Sequence, residues 1–243
     1  MPHPPHTLLA LYADDTAIIT QSWRTDTIVH RLTNAMSMLL RYFSKWKLQV
    51  NTHKTEAILF TRRRPIAPAP LCFHSSVVPW KSQVRYLGLI LDSKLLFTKH
   101  INSVTHKATG TFLQLFPLLA RDSTLTTHNK LILYKLFTRS ALTYAAPVWS
   151  YISPSTYRRL QVLQSKCLRV IGNYPRCTPI PRLHTTLNIP PIRDFVYHLT
   201  DKFFSSCPAH LNPLISAIGN YTLADLQHQY KKYIHKRPKH ILL

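Results

Sequence analysis

Between Thr25 and about Leu48 the apolar residues Ile28, Leu32, Ala35, Met36, Leu39, Phe43 and Trp46 recur at steps of three and four. Only an α-helix gathers such positions onto one face, and a stripe of that length has to be covered by other parts of the chain. The flanking segments are the candidates. Upstream, Thr7 to Tyr12 and Thr16 to Thr20 are short runs rich in β-favouring residues, separated by Ala13, Asp14 and Asp15, which predicts a β-hairpin with acids at its tip. Downstream, Thr55 to Thr61 reads as a strand. Arg62-Arg63-Arg64-Pro65 then opens a proline-punctuated loop through Pro70, and Leu71 to Trp80 with Val84 to Asp92 reads as a second strand pair. A long helix packed across antiparallel strands gives an α+β class for this part of the chain.

Beyond Asp92 the period becomes helical. Ile101, Val104, Ala108, Phe112, Leu115 and Leu119 make one stripe, and Leu131 to Tyr144 is a further strongly apolar segment. A third helix is predicted from near Ser155. Its apolar positions Leu160, Leu163, Cys167 and Ile171 alternate with Arg158, Arg159, Lys166 and Arg169, and Gly172-Asn173 supplies a carboxy-terminal stop. One face of that helix packs while the other can meet phosphate. The segment from His235 to His240 is expected to be a mobile tail.

Charge separates the front of the chain from the rest. Of 243 residues, 31 are Lys or Arg and nine are Asp or Glu, for a net +22. Residues 1–61 hold six of the basic residues and four of the acids, so they carry only +2 and leave +20 for the remainder. A surface that basic seeks a polyanion, first of all a nucleic acid, because each phosphate contacted by Lys or Arg releases condensed counterions. An anionic membrane surface comes second, but the basic helix lacks an uninterrupted amphipathic face. The longest charge-free stretch, Ser140 to Tyr157, holds Pro147, Pro154 and many hydroxyl residues, so it makes a poor membrane span. The amino terminus has no signal-peptide pattern, and four scattered cysteines point to reduced thiols in an intracellular protein. Cys72-Phe73-His74 is the closest Cys/His pair, and without a second pair at finger spacing zinc is not expected. Four glycines leave little material for phosphate-cradling loops, and no Walker or dinucleotide fingerprint occurs.

Asp14 and Asp15 are the sharpest local signal. Adjacent carboxylates on a tight turn repel each other, so such a pair calls for a compensating cation. Mg2+ or Mn2+ is the natural one, since hard divalent ions take carboxylate oxygens and keep positions for water and phosphate. A solvated turn is the alternative reading. The segment Leu11-Tyr12-Ala13-Asp14-Asp15-Thr16-Ala17-Ile18 resembles the Tyr-Ala-Asp-Asp motif of reverse transcriptases, in particular those of non-LTR retrotransposons of the jockey and LINE kind. After the long helix, Trp46-x-Leu48-x-x-Asn51-x-x-Lys54-Thr55-Glu56-x-x-x-Phe60 resembles the next palm motif of that family. Tyr86-Leu87-Gly88-Leu89-x-Leu91-Asp92 resembles the primer-grip hairpin that follows it. Tyr144-Ala145-Ala146-Pro147-Val148-Trp149 and Leu187-x-Ile189-Pro190-Pro191-Ile192 resemble the region carboxy-terminal to the palm.

The resemblance implies an RNA-directed DNA polymerase acting on an RNA template, a DNA primer and dNTPs by two-metal nucleotidyl transfer. It implies Asp14 as a metal ligand, Asp15 as the supporting acid, and Tyr12 beside the primer end. Lys54 matches the lysine that protonates the pyrophosphate leaving group, or is a solvated loop lysine. Tyr86, Leu87 and Gly88 match the residues that position the primer, or form a plain core hairpin. The implied layout is a partial palm over residues 1–92, a thumb-like helical region over 93–150, and a mostly helical basic region over 151–243. Nuclear work is implied by the family alone. The family pattern also needs a third carboxylate from an upstream strand, and thirteen residues precede Asp14 here. Asp26, Glu56 and Asp92 fall at the helix start, the palm motif and the primer-grip end, and do not replace it. The expectation is therefore the carboxy-terminal half of a polymerase, inactive alone and completed by an upstream half. The competing expectation is a non-catalytic RNA- or DNA-binding module using Arg62, Arg63, Arg64, Arg158, Arg159, Lys166 and Arg169.

Overall fold

The apolar stripe of the first helix sets the arrangement of the front of the chain. In a computed structural model, which describes residues 5–61, 68–73 and 76–218, this helix is α1, Thr25–Lys45. Ala35, Met36 and Leu39 are its buried residues. The chain divides into two units, residues 1–95 and 96–243.

In the first unit, β1 (Thr7–Tyr12) and β2 (Asp15–Thr20) form an antiparallel hairpin in which Tyr12 faces Asp15, Leu9 faces Ile18 and Leu8 faces Ile19. Asp15 is thus the first residue of a strand, and the turn is Ala13-Asp14. Met36 packs in one cluster with Ala57, Leu71, Phe73 and Val78, and Ile18, Val29, Leu32 and Trp80 close around it. The expected strand over Thr55 to Thr61 is shorter, β3 (Ala57–Ile58), because its neighbour β6 (Trp80–Lys81) is equally short and pairs with it in parallel. The expected pairing of Leu71–Trp80 with Val84–Asp92 gives way to two local hairpins. One joins β4 (Leu71–Phe73) to β5 (Ser76–Val78), the other β7 (Gln83–Tyr86) to β8 (Leu89–Asp92). Short loops favour pairing between sequence neighbours over longer-range closure. Trp46, placed by period on the buried stripe, is 61% exposed, because α1 stops at Lys45 and Lys47 turns left-handed at φ 54°. Arg62, Arg63, Arg64, His74 and the segment from His235 to His240 lie outside the described residues.

The described residues of the second unit are helical. The stripe from Ile101 to Leu119 buries one side of α2 (Thr98–Leu119). The chain continues through α3 (Thr127–Leu133), a π-turn over Tyr134–Arg139, α4 (Ser140–Leu142) and α5 (Ala146–Trp149). Next come α6 (Pro154–Ile171), α7 (Ile180–Leu187), α8 (Ile192–Ser206) and α9 (Pro213–Ser216). The stop predicted at Gly172-Asn173 is where α6 ends, with Asn173 left-handed at φ 55°. Helices and short strands together make the chain α+β, as its periodicities imply.

The Tyr144–Trp149 motif builds the core of this unit. Ala145 turns left-handed at φ 52°, which folds the chain back so that the fully buried Trp149 indole N–H donates to the Tyr144 carbonyl at 2.8 Å. Tyr157 on α6 then donates to the Ser150 carbonyl at 2.5 Å. The other proline motif is clamped by α6. Gln164 donates to the Pro190 carbonyl at 3.1 Å, and the Ile192 N–H donates to Gln161 Oε1 at 3.1 Å. His184 Nδ1 lies 2.7 Å from the Ile189 carbonyl and its Nε2 lies 2.9 Å from Gln161 Nε2. An N–H on Nδ1 and an acceptor at Nε2 satisfy both contacts, which assigns the tautomer.

Trp149→Ala should therefore cost about 3–5 kcal/mol, through lost burial, the cavity left behind and the lost indole hydrogen bond. Chemical denaturation is the check, and a loss below about 1 kcal/mol would show that this core is not what holds the second unit. His100 gives a second expectation. It is 1% exposed beside Trp149, and burial holds its imidazole below the usual histidine range despite an opposing hydrogen bond with the Tyr144 backbone. The unfolded chain takes up a proton near pH 6.5 that the folded chain refuses. Stability should be full above that pH and fall below it, and melting from pH 7.5 down to 5 should show a slope that His100→Phe flattens.

Candidate functional site

The β1–β2 hairpin carries the candidate acids. Strand side chains alternate, so Leu9 and Ile18 share one face while Tyr12, Asp15, Leu8 and Ile19 share the other. Ile18 belongs to the cluster around Met36, so Tyr12 and Asp15 point away from that core. Tyr12, Asp14 and Asp15 are all exposed. Asp14 stands at the apex. The residue before it, Ala13, has φ 50°, the left-handed region that turns usually give to Gly or Asn. A Cβ in that conformation costs about 1 kcal/mol or more, and the packing of β1 and β2 imposes it. The turn and the start of β2 therefore present Asp14 and Asp15 side by side in solvent.

Two carboxylates do not complete a metal centre. Among the described residues no group of three or more His, Cys, Asp and Glu side chains is placed to hold an ion. Asp14 and Asp15 are exposed carboxylates of the kind a hard divalent ion takes, and by themselves they fall short of such a group.

Lys54 is held by a device that periodicity did not reveal. Residues Thr52–Lys54 form one 3-10 turn capped by Asn51, whose Oδ1 accepts from the N–H groups of His53 at 3.1 Å and Lys54 at 3.2 Å. Asn51 is fixed again because Thr55 Oγ1 donates to its carbonyl at 3.0 Å. The cap sets the backbone direction at Lys54 and leaves its side chain exposed. The asparagine three residues before the lysine was the signal available in the sequence.

Tyr86, Leu87 and Gly88 sit at the β7–β8 turn. Leu87 at φ 46° and Gly88 at φ 80° occupy both central positions with positive φ, the twist that a two-residue hairpin link favours. Gly88 is exposed, and Tyr86 and Leu87 are half-buried.

In the second unit the basic residues of α6 fall into two groups. Arg158 and Lys166 are exposed. Arg159, also exposed, donates to Asn102 Oδ1 on α2 at 2.9 Å, and the half-buried Arg169 donates from Nη2 to the Thr178 carbonyl at 3.0 Å. Those two guanidiniums are positioned by the protein itself. Arg121 and Arg176, which helical period did not single out, border the same end of α6 as Lys166 and Arg169. No described helix is long and apolar enough to cross a membrane.

Comparison with known proteins bears on the same residues. Residues 3–91 match the family described as reverse transcriptase (RNA-dependent DNA polymerase). The chain is 30% identical over 212 residues to a probable RNA-directed DNA polymerase from transposon BS of Drosophila melanogaster, covering 86% of this chain and 23% of that protein. It is 29% identical over 216 residues to the RNA-directed DNA polymerase from mobile element jockey of Drosophila funebris, covering 87% of this chain and 23% of the relative. Against the jockey protein of Drosophila melanogaster it is 24% identical over 237 residues, 97% of this chain and 26% of the relative. No solved structure matches. The chain spans about a quarter of the length of these relatives. A hairpin tipped by paired aspartates inside the matched segment, and similarity running on through the helical unit, place this chain in the non-LTR retrotransposon family of reverse transcriptases.

Proposed function

We propose that this chain is a portion of an RNA-directed DNA polymerase that supplies two palm carboxylates, the primer-grip hairpin and the helical region after the palm. The observation that carries the reading is the β1–β2 hairpin, which holds Asp14 and Asp15 outside the core within the segment matching reverse transcriptases. In this reading residues 1–92 are palm, 93–150 are thumb-like, and 151–243 form a basic carboxy-terminal region. The family's use of divalent metal gives the aspartates their purpose, and Mg2+ or Mn2+ suits a carboxylate site that also meets phosphates. Asp14 binds the ion and Asp15 adds charge beside it. Lys54 donates a proton to the departing pyrophosphate. Tyr12 lies against the primer end, and Tyr86, Leu87 and Gly88 position the primer. RNA template and DNA primer are the macromolecular partners, with dNTP as substrate.

The hairpin face that bears Tyr12 and Asp15 also supports the need for a further piece. Leu8, Ile19 and Tyr12 on that face are 47%, 51% and 65% exposed. Among the described residues β1 and β2 pair as strands only with each other. An apolar two-stranded ribbon of this kind takes on another strand readily. A strand bringing the third carboxylate there would complete both the sheet and the ion site.

A second reading is a non-catalytic RNA- or DNA-binding module. The exposed Arg158 and Lys166 beside the positioned Arg159 favour it, since they form one basic edge of α6. The two readings part on the aspartates.

Two outcomes are expected. The purified chain alone gives no Mg-dependent primer extension. With the upstream palm segment of a jockey-type polymerase supplied in trans it does, and Asp14→Ala lowers the rate by roughly a hundredfold or more. Extension by the chain alone, or trans extension that survives both Asp14→Ala and Asp15→Ala, would sink the first reading. Binding to a primer–template should also weaken at least tenfold between about 50 and 200 mM salt. A flat salt response in fluorescence anisotropy would remove nucleic acid as the partner on either reading.

A further inference from the structure

The carboxy-terminal ends of α2 and α6 border an open cleft of about 480 Å³. Its chemistry is uniform. Arg121, Lys166, Arg169 and Arg176 supply four cations, Phe116 and Tyr174 supply two aromatic rings, and no carboxylate is among the described residues that line it. These residues come from two stretches of sequence, 116–121 and 166–176, which meet only through the fold, and Arg121 and Arg176 lie beyond the helical stripes that period picks out.

Two features make this a shaped wall rather than scattered surface charge. The α6 stop places Tyr174: its N–H donates to the Arg169 carbonyl at 2.9 Å after the left-handed Asn173. Its ring then lies directly over Gly172, where an added Cβ would come within 2.3 Å of Cε2 and 2.6 Å of Cδ2. Gly172 is therefore the residue that lets the aromatic ring reach this position. Arg169 is fixed by its bond to the Thr178 carbonyl, and its buried Nε has no hydrogen-bond partner among the described residues. A guanidinium already held in place forfeits less rotamer freedom when an anion arrives.

We propose that this cleft holds one nucleotide of a single-stranded polynucleotide, with its phosphate among Arg121, Lys166 and Arg176 and its base against the Tyr174 ring. The cleft is of the size of one nucleotide, and cations interleaved with an aromatic face are the means by which proteins bind single strands without reading sequence. The proposal rests on the reading that this chain handles nucleic acid, and it is separate from the aspartate hairpin.

Anisotropy with short polyuridine and polydeoxyuridine strands tests it on the full chain, with no polymerisation read. Arg121→Ala/Arg176→Ala should weaken binding about tenfold and flatten the salt slope by about 0.7, the share of the one phosphate held in the cleft of a single strand. Tyr174→Leu should weaken binding about tenfold while leaving the salt slope unchanged. The control Arg182→Ala/Lys202→Ala removes the same charge from exposed sites of α7 and α8 outside the cleft, and should change binding less than twofold. Losses on either strand bear the proposal out, and the tighter strand identifies the ligand. Equal losses in the cleft pair and the control pair would overturn it in favour of diffuse basic surface, as would absence of binding by the unsubstituted chain. Trans extension, tested above, stands or falls without reference to these variants.

Discussion

Burial of the α1 stripe is the constraint on which the first unit depends. Strands of two to four residues have too few ladder bonds and too little apolar area to persist alone. Here β3 to β8 are all of that length. Ala57, Leu71, Phe73 and Val78 each place a side chain in the cluster around Met36, so α1 substitutes for the continuous sheet that these strands do not make. The hairpin β1–β2 is the longest of the set, and Ile18 anchors it to the same cluster. Because strand side chains alternate, anchoring Ile18 turns Tyr12 and Asp15 outward. The exposed position of the acids is thus a consequence of which side of the ribbon the core needs.

The second unit relies on a different device. Its core is apolar around Trp149, Leu160 and Leu168, yet two glutamines of α6 decide how the later segments attach. Gln164 is fully buried and Gln161 half-buried, and between them they bond the Pro190 carbonyl, the Ile192 N–H and His184. Prolines lack an N–H, and the extended Pro190-Pro191 stretch leaves a carbonyl that needs an outside donor. Side-chain amides on a neighbouring helix meet that need and fix the register of α7 and α8 against α6 at the same time. Hydrophobic burial alone tolerates sliding, whereas a satisfied buried network does not. The cleft by Tyr174 takes its shape instead from the turn at the end of α6, where Tyr174 is set over Gly172.

Much of this was readable from residue order. The α1, α2 and α6 stripes, the acid-tipped hairpin and the stop at Gly172-Asn173 all depend on local period or local turn chemistry, and each is found where those rules put it. The partner of each short strand was not readable. Leu71 to Trp80 carries no mark that sends it to pair with itself rather than with Val84 to Asp92, since β-propensity records what suits a strand and not which strand lies alongside. Trp46 misled because period continues through a residue after the helix has stopped, and the stop came from Lys47 adopting positive φ.

The sequence by itself determined the chemistry available to this protein: paired carboxylates on a turn, a lysine after a capping asparagine, an excess of bases beyond residue 61, and the family to which the chain belongs. All of these are properties of residue identity and short spacing. Tertiary structure alone decided which bases stand free and which are held within the protein. Arg159 and Arg169 differ from Arg158 and Lys166 only in what lies across from them, Asn102 for one and the Thr178 carbonyl for the other. It also decided that Arg121, Lys166, Arg169, Tyr174 and Arg176 share one cleft. Asn102 and Arg121 are far from α6 in the chain, and only packing brings them within its reach.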